Sequence, residues 1–145
     1  MDTELTPIIK KAADFHGHLG PFLVIGVRIG FIGVRELGVK EKDKKLRVTA
    51  MLRNSVPFSC AIDGIQMATK CTIGNGKMKL RNSSGIAARF ELQRGEQIAV
   101  SVNPTAFEIL KNELLSENVP PKEVRKLAHL VASMPEEELF LIRRR

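Results

Sequence analysis

The sequence lacks tryptophan and tyrosine, and its aromatic content consists of seven phenylalanines. Single-stranded nucleic acids are commonly held on aromatic side chains beside basic ones, so this composition makes nucleic-acid binding an unfavoured function. Cysteine is also scarce, since Cys60 and Cys71 are the only two in the chain. Two cysteines are too few for a disulfide scaffold, and the absence of a CxxC pair excludes the usual zinc finger or ribbon.

Long hydrophobic runs are missing as well. The most apolar stretch, residues 20–34 (GPFLVIGVRIGFIGV), is shorter than the roughly 20 residues of a membrane span and is interrupted by Arg28. The first residues include acidic side chains and no continuous apolar core, which is unlike a signal peptide. We therefore expect a cytoplasmic protein without membrane contact.

The 145 residues are enough for one hydrophobic core, and we expect a single domain over 1–145. The formal net charge of +7 favours anionic partners without selecting one of them. The basic residues are scattered in short clusters, which is typical of a solvated surface.

The pattern of apolar residues, turn signals and prolines predicts an α+β fold with a mainly antiparallel sheet packed against helices. Helices are expected near 5–13, 21–37, 60–70, 104–115 and 121–133, so that the C-terminal helices lie within 104–134. Strands are expected near 46–53 and 77–81, and residues 86–92 and 96–102 form a predicted hairpin. The final LFLIRR is either a short strand or an amphipathic end.

The predicted helix over 21–37 is long and contains Gly26, Gly30 and Gly33. Each glycine costs up to about 1 kcal/mol relative to alanine in an exposed helix interior. We therefore expect another backbone to pack closely against this helix, which should end at Gly38.

Two segments carry candidate functional side chains. His16 and His18 flank Gly17 in a predicted turn before the long helix, a placement that can aim imidazoles into a cleft. Helical spacing puts Cys60 and Asp63 on one face of the helix over 60–70. With Ser59 as the expected N-cap, the free amides and dipole at this helix start should make the Cys60 thiol more acidic.

The remaining candidates carry weaker signals. Cys71 lies about 16 Å further along the helix axis than Cys60 if the helix is unbroken, too far for one metal ion to bind both. We interpret Cys71 as a small core residue and His129 as a satisfied or surface histidine. The chain has no nucleotide-binding glycine motif and no GxSxG motif.

FHGHLGPFLVIGVRIG, followed by CAIDGIQMATKCTIGNGK, resembles the core domain of the FmdE family of formylmethanofuran dehydrogenase proteins. The family shares an HGHxxP turn, a CxxD[AG][IV]Q helix start and a T-x-G-K-rich loop, and the resemblance is strongest over 10–105. It implies an α+β core that forms a homodimer, found in methanogens and other anaerobes near formylmethanofuran dehydrogenase genes. Longer members add a C-terminal zinc finger, so this chain resembles the short form.

The resemblance also implies which residues form the site. It places the histidine turn and the cysteine at one cleft suited to a metal ion. The motif positions in this chain are His16, His18, Cys60, Asp63, Gln66, Thr69, Thr72, Gly74 and Lys77.

We hypothesise that His16, His18 and Cys60 bind Zn²⁺ or a similar divalent transition metal, since imidazole and thiolate suit that ion. Cys60, His18 and Asp63 are the candidate catalytic residues. Gln66, Thr72 and Lys77 are the candidate contacts to a small ligand.

Two alternatives stay open at this stage. Cys60 can act without metal as a nucleophile that His18 activates. The chain can instead be a non-enzymatic accessory or binding module of formylmethanofuran dehydrogenase in one-carbon metabolism, meeting an acidic partner chain of that complex or a methanofuran-like anionic ligand.

Overall fold

The computed structural model describes residues 5–40, 45–115 and 119–144. The elements in chain order are α1 (Leu5–His16), α2 (Pro21–Leu37), β1 (Arg47–Met51), α3 (Cys60–Thr69), β2 (Met78–Arg81), β3 (Ala87–Glu91), β4 (Gln97–Val102), α4 (Pro104–Leu115), α5 (Pro121–Ser133), α6 (Glu136–Leu139) and β5 (Phe140–Arg144). The predicted α+β class and the mainly antiparallel sheet are confirmed.

The sheet has the strand order β2-β1-β3-β4-β5. The predicted hairpin joins β3 and β4 in antiparallel register, with Arg89 opposite Ala99. β1 also pairs antiparallel with β3, whereas β1 and β2 run parallel because α3 connects them. The C-terminal LFLIRR, for which the sequence allowed two structures, forms one helical turn and then the edge strand β5 beside β4.

The helix α2 lies at the centre of the molecule and contacts α1, α3, α5, β3 and β4. Thirteen of its seventeen residues are buried, among them Arg28. The Arg28 Nη1 group donates hydrogen bonds to the carbonyl oxygens of Val131 (2.8 Å) and Met134 (2.6 Å). This buried guanidinium therefore ties α2 to the end of α5, and its charge also lies 5.3 Å from the centre of the Phe140 ring.

The expected close approach to α2 is confirmed, and its partner is α3. A Cβ atom built at Gly26 would lie 2.8 Å from both the Cα and the carbonyl carbon of Ala61. Reciprocally, a Cβ at Gly64 would lie 2.6 Å from the backbone nitrogen of Val27. Because carbon atoms normally pack about 3.5–4.0 Å apart, the two helix backbones can approach this closely only where both helices carry glycine.

The ends of two helices differ from expectation. α1 continues to His16 rather than stopping near residue 13, because the turn begins only at Gly17, whose φ is +103°. At α3, Ser59 makes no side-chain capping bond, so its predicted role as N-cap is wrong. The preceding turn already has helical geometry, and the backbone N–H of Cys60 donates to the carbonyl oxygen of Pro57 at 3.2 Å. The predicted end of α2 at Gly38 is confirmed, with φ of +64° there.

Within the described ranges, none of the helices is long and apolar enough to cross a membrane.

Candidate metal centre

The end of α1 and the turn after it carry the two histidines. His16 is the last residue of α1, and the positive φ of Gly17 reverses the chain so that His18 follows on the same side. The ring centroids of His16 and His18 are 4.7 Å apart. His16 is largely buried, with 15% of its side chain exposed, whereas His18 is exposed to solvent. One imidazole therefore faces inward and its neighbour lies at the surface.

The first residue of α3 supplies the thiol. Cys60 is buried at 7% exposure, and the tight packing of Ala61 against Gly26 fixes the start of α3 relative to α2. One potential ligand atom from each of His16, His18 and Cys60 lies within 4.8 Å of the other two. The structure thus brings together the three side chains for which the sequence predicted metal binding, although Cys60 is more than forty positions from the histidines.

Asp63 determines the orientation of the His16 ring. Its Oδ2 atom lies 2.6 Å from His16 Nδ1, and a carboxylate can only accept, so Nδ1 carries the proton in this contact. In the neutral ring the lone pair is then on Nε2. That Nε2 atom is buried and has no hydrogen-bond partner within the described residues. A buried nitrogen with a free lone pair beside a thiol and a second imidazole is typical of a metal ligand that awaits its ion.

Gln66 extends this polar chain to the loop after α3. Its Nε2 group donates to Asp63 Oδ1 at 3.3 Å, and its Oε1 atom accepts the backbone N–H of Ile73 at 2.9 Å. Gln66 therefore holds the Asp63 carboxylate from one side and anchors the loop from the other.

The electrostatics of Cys60 differ from the sequence-based expectation. Burial raises the pKa of the Cys60 thiol, and the nearby negative charge of Asp63 raises it further. The prediction of an acidified thiol at a helix start is wrong for this metal-free chain. Its physical reason is that the turn before α3 already satisfies the amide of Cys60, so the dipole effect is weaker than desolvation.

The other predicted positions lie outside the cluster. Thr72 and Asn75 close the loop by bonding to each other: each backbone N–H donates to the oxygen of the other's side chain, at 3.0 and 2.9 Å. The positive charge of Lys77 acts on the Cys71 thiol, lowering its pKa against the larger raising effect of burial. Thr69 caps the end of α3, since its hydroxyl accepts the N–H of Cys71 at 3.0 Å.

Cys71 and His129 also stay apart from the centre. Cys71 is 2% exposed and its thiol donates to the Leu46 carbonyl at 3.4 Å, which fits a small core residue. His129 is exposed on α5.

Two neighbours of His18 carried no functional signal in the sequence. A Cβ atom at Gly20 would lie 3.6 Å from His18 Nε2 and 3.5 Å from Val124 Cγ1. Gly20 thus leaves the space between the His18 ring and α5 free of a side chain. Only the Gly-Pro pattern pointed to this turn, and nothing pointed to Val124.

An α+β protein with a histidine–cysteine cluster beside an aspartate is the class that the fold and site define. A model of the FmdE family, described as "Molybdenum formylmethanofuran dehydrogenase operon", matches residues 15–141. The chain therefore belongs to the FmdE family.

Two known proteins are similar to parts or all of the chain. A protein of Archaeoglobus fulgidus, described as a probable S-adenosyl-L-methionine-binding protein, is 37% identical over 76 residues, which are 52% of this chain and 21% of that protein. The chain thus matches about a fifth of that relative's length. A crystal structure of a tungsten formylmethanofuran dehydrogenase FmdE-like protein from Syntrophus aciditrophicus has a TM-score of 0.61 at 19% identity, with 97% of this chain and 71% of that chain covered. This likeness shows that the two proteins share a fold.

Proposed function

We propose that this chain is a metal-binding FmdE-family protein that works with formylmethanofuran dehydrogenase in one-carbon metabolism. In this proposal, His16, His18 and Cys60 hold Zn²⁺ or a similar divalent transition metal. The observation that carries the proposal is the buried, unpartnered Nε2 atom of His16 within a group of donor atoms that lie within 4.8 Å of one another.

The donor set supports zinc through its chemistry. Two imidazoles and one thiolate are ligands that zinc accepts, and three protein ligands leave a position for an exchangeable fourth. When bound, such an ion supplies Lewis-acid activation of a carbonyl or water oxygen. The exposure of His18 places that open position toward solvent, where a small ligand can enter.

The chain's own residues would prepare this site. Asp63 holds His16 in the tautomer whose Nε2 faces the cluster, and Gln66 holds Asp63. Cys60 must lose its proton to become a ligand, so loading the site releases a proton. Gln66, Thr72 and Lys77 stay the predicted ligand contacts, and the bond from Ile73 to Gln66 supports a loop that borders the site.

The ligand and the oligomeric state follow from the surface. The net charge of +7 favours an anionic, methanofuran-like ligand or acidic partner chains of the dehydrogenase. Large exposed apolar side chains lie in the three segments that carry the site: Phe15 beside His16, Val56 before α3 and Ile73 beside Gln66. Such a grouping supports a homodimer of the single-domain chain that covers these side chains.

The metal-free alternative is less well supported. A nucleophilic thiol needs a large thiolate fraction near neutral pH, whereas burial and Asp63 raise the pKa of Cys60. An accessory role within the dehydrogenase complex is compatible with the metal site, and the two proposals can both hold.

Metal content tests the proposal. We would purify the chain without an affinity tag, load it with zinc, remove the excess and measure metal by mass spectrometry. The unsubstituted chain is expected to retain about one ion per chain, and Cys60→Ser should retain far less. Cys71→Ser is the matched control because it removes the other buried cysteine, and it should retain the full amount. Equal retention in the two variants, or low retention in all three proteins, would refute the site.

A further inference from the structure

One face of the sheet is left open to solvent. Along each strand, alternate residues are buried toward the helices, as the burial patterns of β1, β3 and β4 show. The intervening residues, which point to the opposite side, are partly or fully exposed. We call this second side the outer face. It lies on the side of the sheet away from α2, so it is separate from the candidate metal centre.

The outer face is strongly basic. Its five basic residues are Arg47, Lys79, Arg81, Arg89 and Arg143. Glu91 is the one acidic residue among the described strand positions of this face, which gives it a net charge of +4 out of the chain's +7. Within the described part of the chain, the only ion pair among these side chains joins Arg89 Nε to Glu91 Oε1 at 3.1 Å. Most of this positive charge is therefore uncompensated.

Strand register organises the charge. Thr49 lies opposite Arg89, Arg89 opposite Ala99, and Ala99 opposite Arg143. Arg89 and Arg143 thus stand two strands apart, about 10 Å, with only the methyl group of Ala99 between them. A shallow groove of about 210 Å³ lies there, lined by Arg89, Gln97, Ala99 and Arg143 among others. Small side chains at the centre allow the surface of another molecule to approach the sheet closely.

A weakly apolar row runs beside the basic one. Met51 pairs with Ala87, Ala87 with Ser101, and Ser101 with Leu141, which is 51% exposed. A strip of apolar and small residues flanked by charge is the usual anatomy of a protein–protein interface. A polyphosphate backbone would make no use of such a strip, and the outer face has no aromatic residue for base stacking.

We propose that the outer face docks an acidic surface of another protein. A second copy of this chain is a poor occupant, because face-to-face pairing would bring two surfaces of charge +4 together. An acidic surface instead gains from each of the arginines and can bury the Met51–Leu141 row. The inference is independent of the metal centre and holds whether or not an ion binds there.

Binding of acidic polymers tests this proposal. The probes are fluorescent poly-L-glutamate and a random copolymer of glutamate and tyrosine, measured by anisotropy against the full chain at about 50 and about 200 mM NaCl. The double variant Arg89→Gln/Arg143→Gln should weaken binding of both probes by about tenfold or more. Lys122→Gln/Lys126→Gln removes the same charge from exposed positions of α5 and should weaken it by less than about twofold.

The apolar row has its own arm. Leu141→Ser should weaken the copolymer more than poly-L-glutamate, because only the copolymer carries apolar groups. Circular dichroism and thermal unfolding would establish that each variant is folded.

Several outcomes would overturn the proposal. Equal weakening by the two double variants would show that binding follows net charge alone. Tighter, face-dependent binding of duplex DNA or of phosphatidylglycerol–phosphatidylcholine vesicles would identify a polyphosphate or lipid occupant instead. A dimer in sedimentation that Arg89→Gln/Arg143→Gln abolishes would identify a second copy.

Discussion

Replacing Gly26 with alanine tests how the helix packing positions the candidate site. The added Cβ would lie 2.8 Å from two backbone carbons of Ala61, about 0.7–1.2 Å inside normal carbon contact. Neither partner is a flexible side chain, so the clash can be relieved only by moving α3 away from α2. Ala61 directly follows Cys60, and the thiol must move with it.

The magnitude follows from two opposing effects. Alanine in a helix interior is favoured over glycine by up to about 1 kcal/mol. Overpacking a core costs typically about 1–3 kcal/mol and occasionally more, and a backbone clash belongs at the upper end. We therefore expect Gly26→Ala to lower the free energy of unfolding by about 2 kcal/mol, a decrease in Tm of about 4–8 °C for a chain of this size.

Urea denaturation and zinc affinity are the two assays. Gly85→Ala is the control, because a Cβ at Gly85 meets nothing within 4 Å and should leave both quantities unchanged. Gly64→Ala should behave like Gly26→Ala, and the double variant should cost less than the sum, since helices already separated by one methyl group accommodate the second. A Gly26→Ala variant as stable as Gly85→Ala would refute the reasoning.

The remaining predictions concern two polar contacts. Asp63→Asn should weaken zinc affinity by about 10–100-fold, because an amide can hold His16 in the wrong tautomer, whereas Asp14→Asn on the exposed side of α1 should not; equal affinities in a competition titration against a chromogenic chelator would contradict this. Arg28→Met should lower the free energy of unfolding by about 2–4 kcal/mol, since it leaves the carbonyls of Val131 and Met134 without their charged donor. The control Arg35→Met removes a pair with Glu136 that is 41% exposed at the arginine and should cost less than about 1 kcal/mol in urea denaturation, so similar losses in the two variants would contradict the argument.

Local patterns predicted the elements of this fold well. Helical spacing, Pro21 and Gly38 are enough to delimit α2, and alternation with a turn is enough for the β3–β4 hairpin. The glycines of α2 predicted a close backbone neighbour, because their cost needs a compensating contact. They did not identify α3 as that neighbour, since the matching glycine, Gly64, lies 38 positions away.

Long-range pairing is where sequence reasoning stopped. The contact between His16 and Asp63 spans 47 positions, and no local pattern encodes which oxygen meets which nitrogen. The parallel pairing of β1 with β2 likewise depends on the path of α3 between them. The predicted acidity of Cys60 was wrong because it treated the helix start as free, whereas the turn from Pro57 had already occupied its amide.

Two different interactions thus hold α3 against the histidines, and their consequences can be separated. The contact between Gly26 and Ala61 is steric and buried, so disturbing it should lower stability and metal affinity together. The pair between His16 and Asp63 is polar and about a third exposed at the carboxylate, so its loss should change the free energy of unfolding little while still weakening metal affinity. If the ion is held as proposed, Asp63→Asn and Gly26→Ala will share the loss of affinity and differ in stability. A centre that owed its geometry to packing alone would show no such difference.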